Sequence, residues 1–200
     1  MTVSTIGVAD ADTPDKYLWT EQRTVSSVAR EAQYVLEGES AYPTYCANAT
    51  NVSIATTADH VLQLMGDGTN YSRLKRVTIY PYFATADGTL RISLLRISSA
   101  GTGGTSVTPR PYDTADTYAG GAMTLPSSKG TEGVTLQVWN AMIRGGTVKL
   151  DQPIIWEPPR GAKPIIFGTA TTNGLAFKII AGITGGTVDI NAEFITTSYL

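Results

Sequence analysis

Few residues in this chain of 200 have types and spacing that suit catalysis. There is one histidine, His60, and one cysteine, Cys46. His60 opens a predicted strand beside Asp59, but neighbouring strand residues point to opposite faces, so these two form no obvious dyad. A metal site needs several ligands, and a nucleophilic cysteine needs an activating base. We therefore expect His60 to make a local hydrogen bond at a surface or strand edge, and Cys46 to be a small, partly buried residue.

Paired carboxylates across a cleft are the other catalytic arrangement to consider, because glycosidases use them. Acids in or near predicted loops are Asp113, Asp116, Glu132, Asp151 and Glu157. Any β-protein carries acids in its loops, and the sequence contains no G-x-S-x-G, H-E-x-x-H or C-x-x-C motif. These observations predict a protein that is not an enzyme and that uses no metal or cofactor.

The glycine-rich stretch SAGTGGTSVTPRPYD, residues 99–113, suggests a phosphate loop, a linker or a structural connection. A phosphate loop needs a lysine after its glycines and a helix whose N-terminus points at the anion. The stretch lacks that lysine, and Pro109 and Pro111 disfavour a helix after the glycines. The two prolines also remove backbone donors, so the segment is not a central strand. Two interpretations remain, an exposed loop and a stiff arm that reaches a neighbouring subunit.

Composition and charge argue against several classes of protein. Charged residues make up 16% of the chain, below the roughly 25% of an average soluble protein. The net charge is −2 and no basic stripe is present, which argues against direct nucleic-acid binding. No apolar run is long enough to cross a membrane, and the N-terminus has no secretory signal. A single cysteine forms no intrachain disulfide, so we expect the chain to fold in a reducing compartment.

The N-terminal segment, residues 1–48, is predicted to be an arm with a short helix at about 20–37. Thr13-Pro14-Asp15 has the composition of a helix start, and Gly38 that of a stop. Between them, apolar residues recur at three- and four-residue spacing: Val25, Val28, Ala29, Ala32, Val35 and Leu36. This spacing indicates one face of an amphipathic helix. An extended arm is the alternative, since the composition favours strands.

Residues 49–200 are predicted to form a mainly β domain, an antiparallel β-sandwich or jelly-roll-like fold, with a long loop at 99–130. The clearest strand alternates Val188, Ile190, Ala192 and Phe194 with polar residues, the period of a half-buried strand. The connection 183–186 suits a hairpin turn to the strand before it. The candidate strands are 50–56, 60–66, 73–83, 89–98, 134–142, 146–150, 153–156, 163–168, 174–182 and 186–196. The absence of interleaved helical patterns disfavours a parallel sheet.

Three segments of this domain resemble virion proteins of tailed bacteriophages, which are small, β-rich structural proteins of the decoration or cement type. The segments are SLLRISSAGTGGTSVTPRPYD, AMTLPSSKGTEG and PIIWEPPRGAKPIIFGTATTNGLAFKI. The resemblance covers roughly residues 58–196, and none of its motifs is catalytic. It implies a non-enzymatic virion protein, made in the host cytoplasm, that decorates the capsid surface and stabilises the head by bridging capsid subunits. Its implied partners are the major capsid protein and copies of itself, with a trimer favoured.

Two other functions remain possible. A head-fibre or tail-associated module that binds a receptor or glycan would use exposed aromatics, for which Tyr112, Tyr118 and Trp139 are candidates. A neck or tail adaptor is the third possibility. For a decoration protein, the N-terminal segment is the expected anchor, and we expect Arg110 to contact an acid or a carbonyl at a packing interface. The predicted interface residues are Tyr17, Leu18, Trp19, Val25, Val28, Ala32, Val35, Leu36, Arg110 and Tyr112.

Overall fold

The chain divides into two compact units, Met1–Ala41 and Tyr42–Leu200. The computed structural model describes the backbone of residues 3–7, 17–25 and 28–33, and it describes residues 42–55, 59–146, 153–159 and 162–197. All the regular structure in these ranges is β-strand. None of the described residues forms a helix long and apolar enough to cross a membrane.

The first unit contains a three-stranded antiparallel sheet, where a helix was predicted. Its strands are β1 (Val3–Gly7), β2 (Tyr17–Val25) and β3 (Val28–Gln33), in the order β1-β2-β3. The helix predicted at about 20–37 is therefore wrong over 20–25 and 28–33, and residues 34–37 lie outside the described residues. Val25 pairs with Val28 across a two-residue connection, Ser26-Ser27. The β-branched residues before that serine pair favour strands. The helical prediction relied on the three- and four-residue spacing and did not take this preference into account.

The second unit is an antiparallel β-sandwich, as predicted. It begins before the predicted boundary, since its first strand starts at Thr44, inside the segment assigned to the arm. Its strands are β4 (Thr44–Ser53), β5 (His60–Met65), β6 (Tyr71–Phe83), β7 (Gly88–Ile97), β8 (Thr105–Val107), β9 (Arg110–Pro111), β10 (Gly121–Thr124), β11 (Glu132–Ile143), β12 (Ile154–Trp156), β13 (Ile165–Phe167), β14 (Gly174–Ala181) and β15 (Thr187–Thr197).

Two six-stranded sheets pack against each other in this unit. The β14 sheet has the order β11-β7-β14-β5-β10-β8, and the β15 sheet has the order β12-β6-β15-β4-β9, with β13 also paired to β6. The predicted strands correspond to β4–β7 and β11–β15, apart from 146–150, of which residues 147–150 lie outside the described residues. The inner faces form one apolar core, which takes Leu175 and Phe177 from β14 and Val188 and Phe194 from β15.

The connection at residues 183–186 is not a hairpin, because β14 and β15 lie in different sheets. It crosses from one sheet to the other along the end of β4. The backbone N–H of Ile183 donates to the carbonyl of Ile54 at 3.2 Å, and the N–H of Ile54 donates to the carbonyl of Gly186 at 3.0 Å. Alternation alone does not distinguish the two cases, because strands of either sheet alternate in the same way.

The predicted loop at 99–130 contains three short strands, β8, β9 and β10, which the sequence patterns did not predict. Pro109 and Pro111 predict that this segment is not a central strand, and the structure agrees. The strands on either side of Pro109, β8 and β9, are the last strands in their sheet orders. The chain then enters the end of the core at Tyr118. Its ring packs edge-on against Phe194 at 5.2 Å between centroids, and its hydroxyl donates to the carbonyl of Met65 at 3.0 Å.

Arg96 joins the two sheets at one end of the sandwich. It lies on β7 in the β14 sheet, and its guanidinium donates to the carbonyl of Ile166 on β13, which pairs with the other sheet. The same nitrogen donates to Oδ1 of Asn173 at 3.1 Å. Because partial burial desolvates the guanidinium, the pKa of Arg96 is lowered, and these acceptors compensate for part of the lost hydration.

We expect Arg96→Met to lower the free energy of unfolding by about 1–3 kcal/mol, because it leaves part-buried acceptors without their donor. The matched control is Arg91→Met on the same strand, where the side chain is exposed. Equilibrium unfolding in urea measures both variants, and equal losses would contradict the role assigned to Arg96.

Candidate functional site

The most concentrated group of polar side chains lies on the outer face of the β14 sheet. A β-bulge in the β5–β14 pairing sets Lys178 opposite His60 and Ala176 opposite Gln63. Leu62 and Leu64 of β5 belong to the core, so Gln63 between them faces the other side of the sheet. Val61, the extra residue of the bulge, also belongs to the core, and it turns His60 to the same side as Gln63. The bulge is what places these two residues, three apart in sequence, next to each other.

His60 is fully buried, which corrects the surface or edge position expected from the sequence. Its Nδ1 lies 2.5 Å from Nε2 of Gln63, and its Nε2 lies 3.2 Å from Oε1 of Glu132. The local hydrogen bond that the sequence predicted is therefore present, within a buried network. Burial lowers the pKa of His60; Glu132 acts against this shift, and the charges of Lys129 and Lys178 add to it.

Glu132 connects this network to two lysines. Its Oε2 accepts a hydrogen bond from Nζ of Lys178 at 2.6 Å, and its Oε1 lies 3.4 Å from Nζ of Lys129. Burial alone would raise the pKa of Glu132, but Lys178, Lys129 and the hydrogen bond from His60 outweigh it, so the pKa lies below its usual value. Glu132 is thus ionised at neutral pH and fully engaged by internal partners.

Two chain segments cover this face, and we call residues 98–103 and 126–131 together the strap. They are joined by reciprocal backbone hydrogen bonds between Thr102 and Ser128, at 2.8 and 3.0 Å. The N–H of Gly101 donates to Oε1 of Gln63 at 2.8 Å, which ties the strap to β5. A Cβ on Gly101 would lie 2.3 Å from the carbonyl oxygen of Ser128, so only glycine fits there. The glycine-rich stretch is therefore an ordered structural connection and not a phosphate loop.

A second, smaller apolar cluster lies on the same outer face of the β14 sheet. Leu95, Ile97 and Ala176 are buried there, and Met65 packs against them. These residues alternate with the core residues of β7 and β14, so they point away from the interior of the sandwich. A shallow surface cavity of about 360 Å³ adjoins the cluster and is lined by Ser93, Leu95, Glu132 and Lys178, among others.

The geometry does not present a reactive centre among the described residues. His60 has no exposed surface, and burial together with the charge of Glu193 raises the pKa of Cys46 to about 11, which keeps the thiol protonated at neutral pH. No group of three or more histidine, cysteine, aspartate or glutamate side chains within the described ranges is placed to hold a metal ion.

The three aromatic residues considered for glycan binding differ in their exposure to solvent. Tyr118 packs in the core, and Trp139 is 7% exposed and stacks on Phe177 at 6.2 Å between centroids. Tyr112 is 63% exposed and is available at the surface. Burial, followed by the charge of Glu193, raises the pKa of its hydroxyl. One aromatic of the three therefore has the exposure that stacking on a sugar requires.

The predicted interface residues fall in separate places. Tyr17, Leu18, Trp19 and Val25 lie on β2, and Val28 and Ala32 lie on β3. Val35 and Leu36 lie outside the described residues. The single helical face that grouped them is absent from β2 and β3, since these residues belong to two paired strands. Arg110 is exposed on β9, where its backbone pairs with Cys46, so the arm is ordered and the contact predicted for Arg110 stays a prediction.

Sequence reasoning missed Gln63 and Lys178 as members of the network and considered Glu132 only as a loop acid. A glutamine and a lysine within strands carry no motif, and the three residues lie far apart in the chain.

No protein-family model matches the chain, and no curated protein matches it.

Glu132→Gln is expected to reduce the free energy of unfolding by about 1–2 kcal/mol at neutral pH, since it removes a charge that is partly buried between two lysines and a histidine. Because the pKa of Glu132 is lowered in the folded chain, this contribution is present above about pH 4.5 and is lost as the pH falls through the folded value. The difference from the wild type should therefore shrink in acid.

The matched control for this measurement is Glu157→Gln. Glu157 lies 3.5 Å from Nε of Arg76, but its side chain is 63% exposed, so we expect a change within about 0.5 kcal/mol. Urea unfolding at several pH values compares the two variants. Similar effects at neutral pH would show that Glu132 is an ordinary surface carboxylate.

Proposed function

We propose that this protein is a non-enzymatic structural component of a tailed-phage virion, and most specifically a capsid decoration protein whose sandwich is a jelly roll. The observation that carries the proposal is the strand order. Eight strands taken in chain order, β4, β5, β6, β7, β11, β12, β14 and β15, form the two four-stranded sets β4-β15-β6-β12 and β5-β14-β7-β11. All the pairings within these sets are antiparallel. This interleaving supports the double Greek key of a jelly roll, a fold used by viral capsid and lectin domains.

The three segments that resemble virion proteins also meet in space. Thr102 of the first pairs with Ser128 of the second, Arg96 of the first binds Asn173 of the third, and Glu132 of the second binds Lys178 of the third. The three segments that carry the resemblance therefore form one connected part of the structure, the strap and the sheet under it. Function is inferred here from likeness of topology and sequence, since a fold by itself hosts many functions.

The distribution of polar groups supports a structural role over a catalytic one. His60 and Glu132 bind each other and their neighbours inside the protein, and the Cys46 thiol stays protonated. The exposed apolar side chains of the sandwich, among them Val134, Met142 and Ile155, are available for contacts with other subunits. Burial of such surface between adjacent capsomers would stabilise a shell through the free energy of binding.

Copy number in purified virions distinguishes the candidate functions. A decoration protein is expected at a copy number on the order of hundreds, whereas a neck or tail adaptor is expected at about six or twelve. Quantitative mass spectrometry against the major capsid protein gives the ratio. Absence from the virion would reject the whole proposal. A low copy number together with binding to a glycan array would instead favour the receptor-binding alternative, with Tyr112→Ala as its first variant.

The role of the first unit as the capsid anchor is tested by deletion of residues 1–40. The second unit has its own core, so we expect the truncated protein to unfold at nearly the wild-type urea concentration while its binding to undecorated heads weakens about tenfold or more. Co-sedimentation with heads measures the affinity. Unchanged affinity would place the capsid-binding surface on the sandwich.

A further inference from the structure

The backbone of Gly101 determines how His60 is protonated. A backbone N–H only donates, so the Gln63 atom that faces it at 2.8 Å is the carbonyl oxygen Oε1. The other atom of the amide, Nε2, therefore faces Nδ1 of His60 at 2.5 Å. An amide nitrogen is a donor, so Nδ1 must be the acceptor and carries no proton.

The second ring nitrogen completes the assignment. With Nδ1 unprotonated, the neutral imidazole carries its proton on Nε2, which lies 3.2 Å from Oε1 of Glu132. A carboxylate is an acceptor, so this hydrogen bond is satisfied as well. The chain Gly101–Gln63–His60–Glu132 thus runs in one direction from donor to acceptor, and each buried polar atom in it has a partner.

A second proton on His60 cannot be accommodated in this arrangement. It would sit on Nδ1 and face the amide N–H of Gln63, donor against donor. Rotation of the Gln63 amide by half a turn would present Oε1 to His60, but it would also turn the NH₂ group toward the N–H of Gly101. Either way one buried donor loses its acceptor, and the strap loses its tie to β5.

Charged groups from three directions face this histidine. Glu132 on β11 favours the imidazolium, whereas Lys178 on β14 and Lys129 in the strap oppose it. Burial opposes it too, and the combined effect lowers the pKa of His60 below its ordinary value of 6.5. The unfolded chain therefore binds the proton more strongly, and the folded state loses stability as the pH falls from about 6.5 through the folded value.

We propose that His60 is a pH-sensitive latch, which holds the strap closed while neutral and releases Gly101 from Gln63 when protonated. Release of the strap frees the outer face of the β14 sheet around Gln63 and Met65, which line a surface cavity together with Ala100 of the strap. The latch is independent of the virion proposal, because it follows from the internal hydrogen bonds of a single chain. Its consequence is a strap that separates from β5 when His60 is protonated.

Nuclear magnetic resonance on the full chain tests the latch directly, because His60 is the only histidine and its ring signals need no assignment by mutation. At about pH 7.5 we expect long-range proton–nitrogen spectra to show the proton on Nε2. As the pH is lowered through the titration of His60, the exchange protection of the Gly101 amide should drop about tenfold or more. The core amide of Ile190, far from the strap in the other sheet, should keep its protection.

Two variants separate the latch from general acid destabilisation. In His60→Phe the protection of Gly101 should no longer depend on pH over this range, since nothing at that position titrates. In Gln63→Met, Gly101 should exchange quickly across the same pH range while Ile190 stays protected, a result that does not depend on the phenylalanine variant folding. A proton on Nδ1 at pH 7.5, or unchanged Gly101 protection across the His60 titration, would overturn the proposal.

Discussion

Two antiparallel sheets each carry one apolar face, and neither face is stable in water unless the other covers it. The large side chains that meet between them, Phe167, Phe177 and Phe194, are fully buried. Each contributes about 1.5–3 kcal/mol through burial. The requirement to close this core explains why residues 183–186 cross between sheets and why Tyr118 enters the end of the sandwich from a long connection. Arg96 is the polar counterpart, joining the same two layers where the apolar contacts end.

A second, smaller set of apolar side chains is buried on the outer face of the β14 sheet. His60 and Gln63 are buried on the same face as Leu95 and Ile97, and a buried polar group needs a partner. Glu132 on β11 is one partner of His60, and the strap supplies the N–H of Gly101 for Gln63. This N–H reaches Gln63 only because glycine allows the backbone to approach closely. A Cβ on Gly130 would lie 1.9 Å from the carbonyl of Ser99, just as Gly101 has no room beside Ser128. The glycines therefore serve close packing of backbone on backbone, a different use from the anion cradle they first suggest.

The functional proposal depends on the same internal contacts. His60 and Glu132 bind each other and neighbouring side chains. The strand order and the contacts among segments 93–113, 122–133 and 153–179 support a structural role that uses the protein surface. Sequence reasoning reached most of the strands of the sandwich, since alternation in β14 and β15 is a local signal. It failed at residues 20–25 and 28–33, where alanines and valines satisfied a helical period and the residues between β2 and β3, Ser26-Ser27, carried no strong turn signal. It also missed β8, β9 and β10, because two to four residues are too few to show a period.

The sequence by itself determined the mainly β class, the inward sets such as Val188, Ile190 and Phe194, and the edge position of the proline segment, because each depends on neighbours along the chain. Only the tertiary structure decided which strands share a sheet, since alternation is identical in both layers. It alone brought Gln63, Glu132 and Lys178 to His60, across separations in sequence that no local pattern encodes. The tautomer that we infer for His60 also depends on a long-range contact, because the backbone N–H of Gly101 reaches Gln63 only once the strap has folded against β5.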